Sequence, residues 1–147
     1  STVLNSIPLV IFPGIFSPAL VSAGQTTLPA MRAFHETWFW VAVIVTGLVG
    51  FWGLLLGLTK RPAPRVFLYA RGVAFAAMGL QVGAGLYLYA QGWRPANPFH
   101  LFYGIVIAFT FSFAYIYRAQ LDRRPELGYG LLLLFLMGLG LRAWSNV

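Results

Sequence analysis

The sequence contains no cysteine. This absence excludes disulfide bonds, thiolate metal sites, cysteine-bound iron–sulfur clusters and thioether-attached haem within the chain. Any metal or cofactor must therefore be held by other side chains.

Charge is also scarce in this sequence. Only 9% of its 147 residues are charged and 59% are apolar, whereas soluble domains carry roughly 25% charged residues. So few charges cannot build a water-facing surface, and the bilayer must act as the solvent for most outward side chains. The formal net charge of +7 does not indicate a nucleic-acid partner, because the basic residues lie in short loops between apolar runs.

Four apolar runs are long enough to cross a bilayer, which requires roughly 17 to 25 helical residues. They cover residues 38–58, 66–90, 99–117 and 127–143. The connections within the first pair and within the last pair are short, charged and marked by proline, which is typical of tight turns. Short connections make successive helices antiparallel neighbours. We therefore predict an all-α integral membrane protein, an up-and-down four-helix bundle over residues 35–147.

The basic residues predict the orientation of this bundle. Most lie on the side of the two proline-marked turns: Lys60, Arg61, Arg65, Arg71, Arg118, Arg123 and Arg124. By the positive-inside rule these turns are cytoplasmic and the C-terminus lies outside, and we expect a bacterial inner membrane. Aromatic residues that favour the headgroup level gather at the predicted outer boundary: Trp38, Trp40, Tyr87, Tyr89, Trp93 and Trp144.

The N-terminal stretch, residues 1–34, is apolar but rich in proline. Pro8, Pro13 and Pro18, together with Gly14, interrupt any regular helix there, because an interior proline removes a backbone hydrogen bond and clashes with the preceding turn. We predict an irregular or interfacial arm that precedes the bundle and lies on the outer face of the membrane. A kinked fifth span over residues 4–23 and a segment that docks on a partner remain open alternatives.

Small residues recur along the first two predicted helices. In the second helix they lie at steps of four, three and four, which places them on one face: Gly72, Ala76, Gly79 and Gly83. The first helix has a similar stripe, Gly50, Gly53 and Gly57. Such stripes favour close helix packing in lipid, either within the bundle or against a partner. They would also leave room for a flat macrocycle.

The two histidines are the main candidate ligands. His35 precedes the first predicted helix and His100 begins the third. These helices run in the same direction, so both imidazoles should lie at one depth, and a diagonal of roughly 13 Å between helix axes would admit a haem. Gly104 lies one turn from His100 on the same face, where a macrocycle could approach the backbone. Both histidines could instead be ordinary boundary residues.

The nearby carboxylates are too few for a bare metal ion. Glu36 is the only one on that side, whereas zinc requires three or four ligands. If the histidines bind a group at all, haem b is the preferred cofactor. A chlorophyll-type pigment bound through one histidine is a further alternative.

On the basis of His35, His100 and Gly104, the chain resembles the small four-span cytochrome b-type bundles. It is most similar to one half of a haem A synthase, in which paired histidines lie near the outer face of a four-helix unit. The resemblance covers residues 32–143 and includes the 65-residue separation of the histidines, 100 minus 35. The chain lacks the second half and the cysteine pair of the synthases, and Glu36 follows His35 instead of preceding it by a turn. The resemblance implies a haem-ligand pair and not synthase activity.

Two functions follow from these observations. No ionisable residue lies at mid-depth of a span, which argues against an ion or proton transporter, and no residue set for hydrolysis or phosphoryl transfer is present. The first function is an accessory subunit of a respiratory or photosynthetic electron-transfer complex, with other membrane subunits as partners and no catalytic activity of its own. The second is a b-type cytochrome bundle that holds haem between His35 and His100 near the outer face.

Overall fold

The computed structural model describes the backbone over residues 18–147 and the side chains from residue 27 onward. Four long helices make up this part of the chain: α1 (Pro18–Leu58), α2 (Arg65–Ala90), α3 (Pro98–Ile116) and α5 (Pro125–Trp144), with a one-turn helix, α4 (Arg118–Leu121), before the last. All four long helices are long and apolar enough to cross a membrane. The predicted all-α fold with four spans is confirmed.

The outward faces of these helices are apolar along their middle turns. Four of their side chains are each more than 60% exposed: Leu48, Phe51, Val73 and Phe109. Their exposure would be unfavourable in water but is favourable in the hydrocarbon of a bilayer. The helices thus indicate an integral membrane protein whose outer surface contacts lipid.

Helix α1 begins much earlier than the sequence predicts. Its described part runs from Pro18 and continues through Pro29. Residues 18–34 are therefore helical and not irregular, and the predicted boundary between arm and bundle falls inside α1. The remainder of the predicted arm, including Pro8 and Pro13, lies outside the described residues.

Local sequence explains where the other helices begin and end. Gly92, with φ of 90°, follows α2 in the left-handed conformation that glycine adopts without strain. The side chain of Asn97 accepts a hydrogen bond from the amide of Phe99 at 3.0 Å, and Pro98 occupies the first position of α3. This cap fixes the start of α3, and with it the position of His100.

The tightest packing in the bundle joins its first and last long helices. A methyl group built on Gly53 would lie 2.9 Å from Cα of Gly130, and one built on Gly130 would lie 2.7 Å from the amide nitrogen of Leu54. The glycine stripe predicted on the first helix thus packs directly on the backbone of α5, as small residues do in membrane bundles.

The glycine stripe of α2 behaves differently. Methyl groups built on Gly72, Gly79 and Gly83 would meet no atom within 4 Å among the described residues. Helix α2 instead packs on α1 through its opposite face, where Trp38 donates a hydrogen bond to the carbonyl of Ala77 at 2.9 Å. No described helix therefore packs against the α2 stripe.

The four long helices do not pack evenly around the bundle. Helix α1 packs extensively on both α2 and α5, and α3 packs on α5, but α2 and α3 approach each other at few points. The seam between α2 and α3 is consequently open, and it is here that the candidate site lies.

Candidate functional site

A deep cleft occupies the seam between α2 and α3, at the end of the bundle that carries the loop of residues 91–97. We call this cleft the α2–α3 cleft and this end the 91–97 end. Its empty space is about 700 Å³, a figure that includes the open space at its mouth. All four long helices contribute lining residues, among them His35, Phe39, Met78, Gln81, Gly85, Tyr89, Trp93, His100, Gly104 and Ala143.

Helix α1 supplies His35 to the floor of this cleft. The residue is only 8% exposed, and its ring extends towards α2, where a methyl group built on Gly85 would lie 3.0 Å from Cε1. Its Nε2 atom lies 3.5 Å from Nε2 of Gln81. Glycine at position 85 therefore provides the space that the imidazole occupies.

Helix α3 supplies His100 from its first turn. The Nδ1 atom lies 3.1 Å from the carbonyl oxygen of Ala143 on α5. A carbonyl only accepts hydrogen bonds, so this contact places the proton on Nδ1 and leaves Nε2 with a free lone pair. An imidazole oriented in this way by a backbone carbonyl is typical of metal-binding histidines.

The two imidazoles meet inside the cleft, although α1 and α3 are not neighbours in the bundle. Their ring centroids lie 6.1 Å apart, and the ring planes are inclined at 75°. Two imidazoles that bind one metal from opposite sides, each about 2 Å from it, have centroids about 6 Å apart. The observed separation is of this size, and Nε2 of His35 would have to leave its contact with Gln81 to bind such a metal. From the sequence alone, only the distance between the helix axes could be predicted.

Two polar atoms in the cleft have no hydrogen-bond partner among the described residues. They are Nδ1 of His35 and Oε1 of Gln81, both fully buried. Buried polar atoms are almost always paired in folded proteins, and an unpaired one usually has a reason such as a bound group. Because both atoms are shielded from the open space of the cleft, a bound group would not meet them unless the His35 and Gln81 side chains moved.

Gly104 lines the cleft one turn below His100, as the sequence predicts. A methyl group built there would meet no atom within 4 Å, so the position is open space. The structure thus brings His35, His100 and Gly104 together around one cavity.

The cleft does not resemble a site for a bare metal ion. Among residues 27–147, no three histidine, cysteine, aspartate or glutamate side chains are close enough together to bind one. Apart from its histidines and Gln81, the wall is largely aliphatic and aromatic. Such a wall suits a large, flat, mostly apolar group whose metal already has equatorial ligands of its own.

Gln81 is the most central amide of the predicted spans, which favours a bond to a neighbouring helix, and its partner is His35 on α1. Sequence reasoning missed Gly85. Gly85 lies off the predicted glycine stripe, and nothing in its sequence context indicates that an imidazole packs on it.

Comparison of the chain with protein-family models, with curated proteins and with solved structures found no match. The function must therefore be argued from the geometry of the α2–α3 cleft.

Proposed function

We propose that this protein is a membrane b-type cytochrome that holds haem b in the α2–α3 cleft, with His35 and His100 as the axial ligands. The separation of 6.1 Å between the two ring centroids is the observation that carries the proposal. In support, the chain has only these two histidines, and both line one cleft.

Each part of the cleft has a defined task under this proposal. His100 offers Nε2 because the Ala143 carbonyl holds its Nδ1 proton, and Gly85 leaves room for the ring of His35. Because Gly104 has no side chain, a macrocycle bound next to His100 would have room beside the backbone of α3. Phe39, Met78 and their apolar neighbours exclude water, which is one of the factors that set a redox potential.

Haem supplies one-electron redox chemistry when it is bound. The protein contributes ligands, orientation and a dry environment, and no carboxylate lines the cleft. We therefore propose electron transfer without catalysis of a bond-making reaction. The placement of the 91–97 end on the outer side of a bacterial inner membrane is part of the same proposal, and it rests on the distribution of basic residues.

A difference spectrum tests this function directly. The protein, purified after expression with sufficient haem, is expected to show the sharp reduced-minus-oxidised bands of a b-type haem. His35→Ala and His100→Ala should each abolish the six-coordinate spectrum, and free imidazole should restore it by occupying the space left by the missing ring. Thr37→Ala is the matched control. Thr37 is exposed on the same helix, and its hydroxyl donates a hydrogen bond to the carbonyl of Ala33. A protein that takes up no haem would overturn the proposal.

A second function is favoured by a different surface. The α2 stripe, Gly72, Gly79 and Gly83, has no packing partner among the described residues, although small residues in lipid usually mark a helix interface. This favours an accessory subunit that docks on another membrane subunit of a respiratory or photosynthetic electron-transfer complex. A chlorophyll-type pigment, bound through one histidine, would belong to this second function.

The accessory role predicts a defined larger assembly in native membranes. Gly79→Leu should release the protein from that assembly on native gels. Gly138→Leu, which also places leucine in open space but on α5, should leave it in place. Migration as the isolated chain, together with a haem spectrum, would contradict the accessory role and support the cytochrome.

A further inference from the structure

The 91–97 end of the bundle carries an excess of positive charge. Arg32, Arg94 and Arg142 lie there, and Glu36 is its only acidic side chain, because the two other acidic residues of the chain belong to the turn before α5 and to the start of α5. Glu36 is already paired, since Oε1 accepts a hydrogen bond from Nε of Arg32 at 2.8 Å. The remaining two arginines have no acidic side chain left to pair with.

Arg94 does not itself line the α2–α3 cleft, but it is held by residues that do. Its guanidinium lies over the ring of Tyr89, 3.7 Å from the centroid, and Nη1 donates to the carbonyls of Tyr89 at 2.6 Å and Trp93 at 3.0 Å. Tyr89, Trp93 and Pro95 all line the mouth of the cleft. These contacts fix the charge at the mouth without neutralising it, because carbonyls and rings carry no formal charge.

Arg142 has a different environment. Its Nε donates to the hydroxyl of Tyr103 at 3.3 Å, and Tyr103 does not line the cleft, whereas Tyr89 and Trp93, which hold Arg94, do. The two arginines therefore share the same end of the protein and the same formal charge, and they differ in their relation to the cleft.

We infer that the occupant of the α2–α3 cleft carries an acidic group that lies against Arg94. A guanidinium held beside an apolar cleft favours an anion, and hydrogen bonds between ionised partners are the strongest of their kind. This inference rests on the proposed cytochrome function and sharpens it. The free carboxylates of haem b meet the requirement, whereas quinones and esterified chlorophyll-type pigments offer no such group.

The arrangement also sets the direction in which the occupant enters. The apolar part of a flat molecule would lie among the aliphatic residues of the α2–α3 seam, and its acidic edge would remain at the mouth near the headgroup level. An acid at that position keeps its hydration in part, so Arg94 adds a moderate gain in affinity and fixes the orientation.

A pair of probes separates this inference from the proposed function. Haem b and its dimethyl ester are titrated into the full-length apo-protein in detergent, and binding is followed by the Soret band. In the unsubstituted protein haem b should bind more tightly than the ester. Arg94→Gln should weaken the binding of haem b about three- to tenfold, the range of a partly exposed charged hydrogen bond, and should leave ester binding unchanged.

The variants provide their own controls. Arg94→Lys should recover most of the affinity, because it keeps the charge, and Arg142→Gln should change the binding of neither probe. Unchanged ester binding also shows that Arg94→Gln still folds. Equal binding of both probes to the unsubstituted protein and to Arg94→Gln would overturn the inference and leave the cytochrome standing. Failure of both probes to bind the unsubstituted protein would overturn both.

Discussion

The ring of His35 packs directly on Gly85: a methyl group at position 85 would lie 3.0 Å from Cε1 of the imidazole and 3.7 Å from each of its nitrogens. Helix α2 thus leaves a notch at this position, and the histidine of α1 fills it. The position of His35, a candidate ligand, therefore depends on the presence of glycine at position 85.

Substitution of Gly85 should therefore disturb the site without removing a ligand. Gly85→Ala forces the imidazole to move by a few tenths of an ångström, and we expect about a threefold to tenfold loss of haem affinity, because overpacking of this kind costs about 1 kcal/mol or more. Gly83→Ala, on the same helix with nothing within 4 Å of the new methyl group, is the control and should bind haem normally. Equal haem affinities of Gly85→Ala and Gly83→Ala would show that haem binding does not require the space beside Gly85.

The backbone contact between α1 and α5 should dominate the stability of the bundle. Gly53→Ala and Gly130→Ala each place a methyl group under 3.0 Å from backbone atoms of the opposite helix, and backbone cannot move aside as a flexible side chain can. We expect each to lower the free energy of unfolding by about 1–3 kcal/mol. Thermal unfolding in detergent, followed by circular dichroism, measures the effect. Gly138→Ala, in open space on α5, should unfold like the unsubstituted protein.

A polar cluster at the opposite end of the bundle should link α2, α4 and α5. Oδ1 of Asp122 accepts hydrogen bonds from Arg71 at 3.2 Å and from the hydroxyl of Tyr129 at 3.1 Å, and the Arg71 guanidinium lies over the Tyr129 ring, 3.9 Å from its centroid. We expect Asp122→Ala to destabilise the protein by about 1 kcal/mol, because the pair is partly exposed.

A double-mutant cycle tests whether these groups act together. Tyr129→Phe keeps the ring beneath Arg71 and removes only the hydroxyl. Asp122→Ala and Tyr129→Phe combined should therefore cost less than the sum of the two single changes, since both remove the same hydrogen bond. Arg123→Ala, an exposed neighbour, should be nearly neutral. Strict additivity would contradict the cluster.

The orientation in the membrane can be tested without a background of native thiols, because the chain has no cysteine. Single cysteines are introduced by Thr59→Cys and Gln120→Cys at the basic turns and by Ala96→Cys at the 91–97 end. With an impermeant maleimide added to spheroplasts, only Ala96→Cys should react, because the positive-inside rule places the basic turns in the cytoplasm. After lysis all three should react. The reverse pattern of labelling would invert the topology.

Much of the fold could be predicted because lipid imposes simple rules. The lengths of the apolar runs, the proline-marked turns and the stripe through Gly50, Gly53 and Gly57 each reflect one helix at a time, and the structure bears them out. The early start of α1 could not be predicted in this way. Pro29 weighs against a helix by propensity, yet it lies inside the long helix.

Only part of the candidate site could be predicted from the sequence, for a related reason. His35 and His100 stand out because they are the only histidines, and their common depth follows from the directions of their helices. The partners of His35, namely Gln81 and Gly85, depend on the rotation and register of α2 against α1. No periodicity within a single helix determines that relation, so these contacts become visible only in three dimensions.

The carbonyl that orients His100 belongs to Ala143, near the end of α5. A ribosome delivers α1, α2 and α3 to the membrane first, so both imidazoles are in the bilayer before the group that aligns one of them has been made. The Gly53–Gly130 contact is also formed at this late stage. A nascent chain halted after α3 would carry both histidines and still lack the carbonyl that orients His100. Under the proposed function, cofactor capture would therefore wait until α5 has entered the bundle.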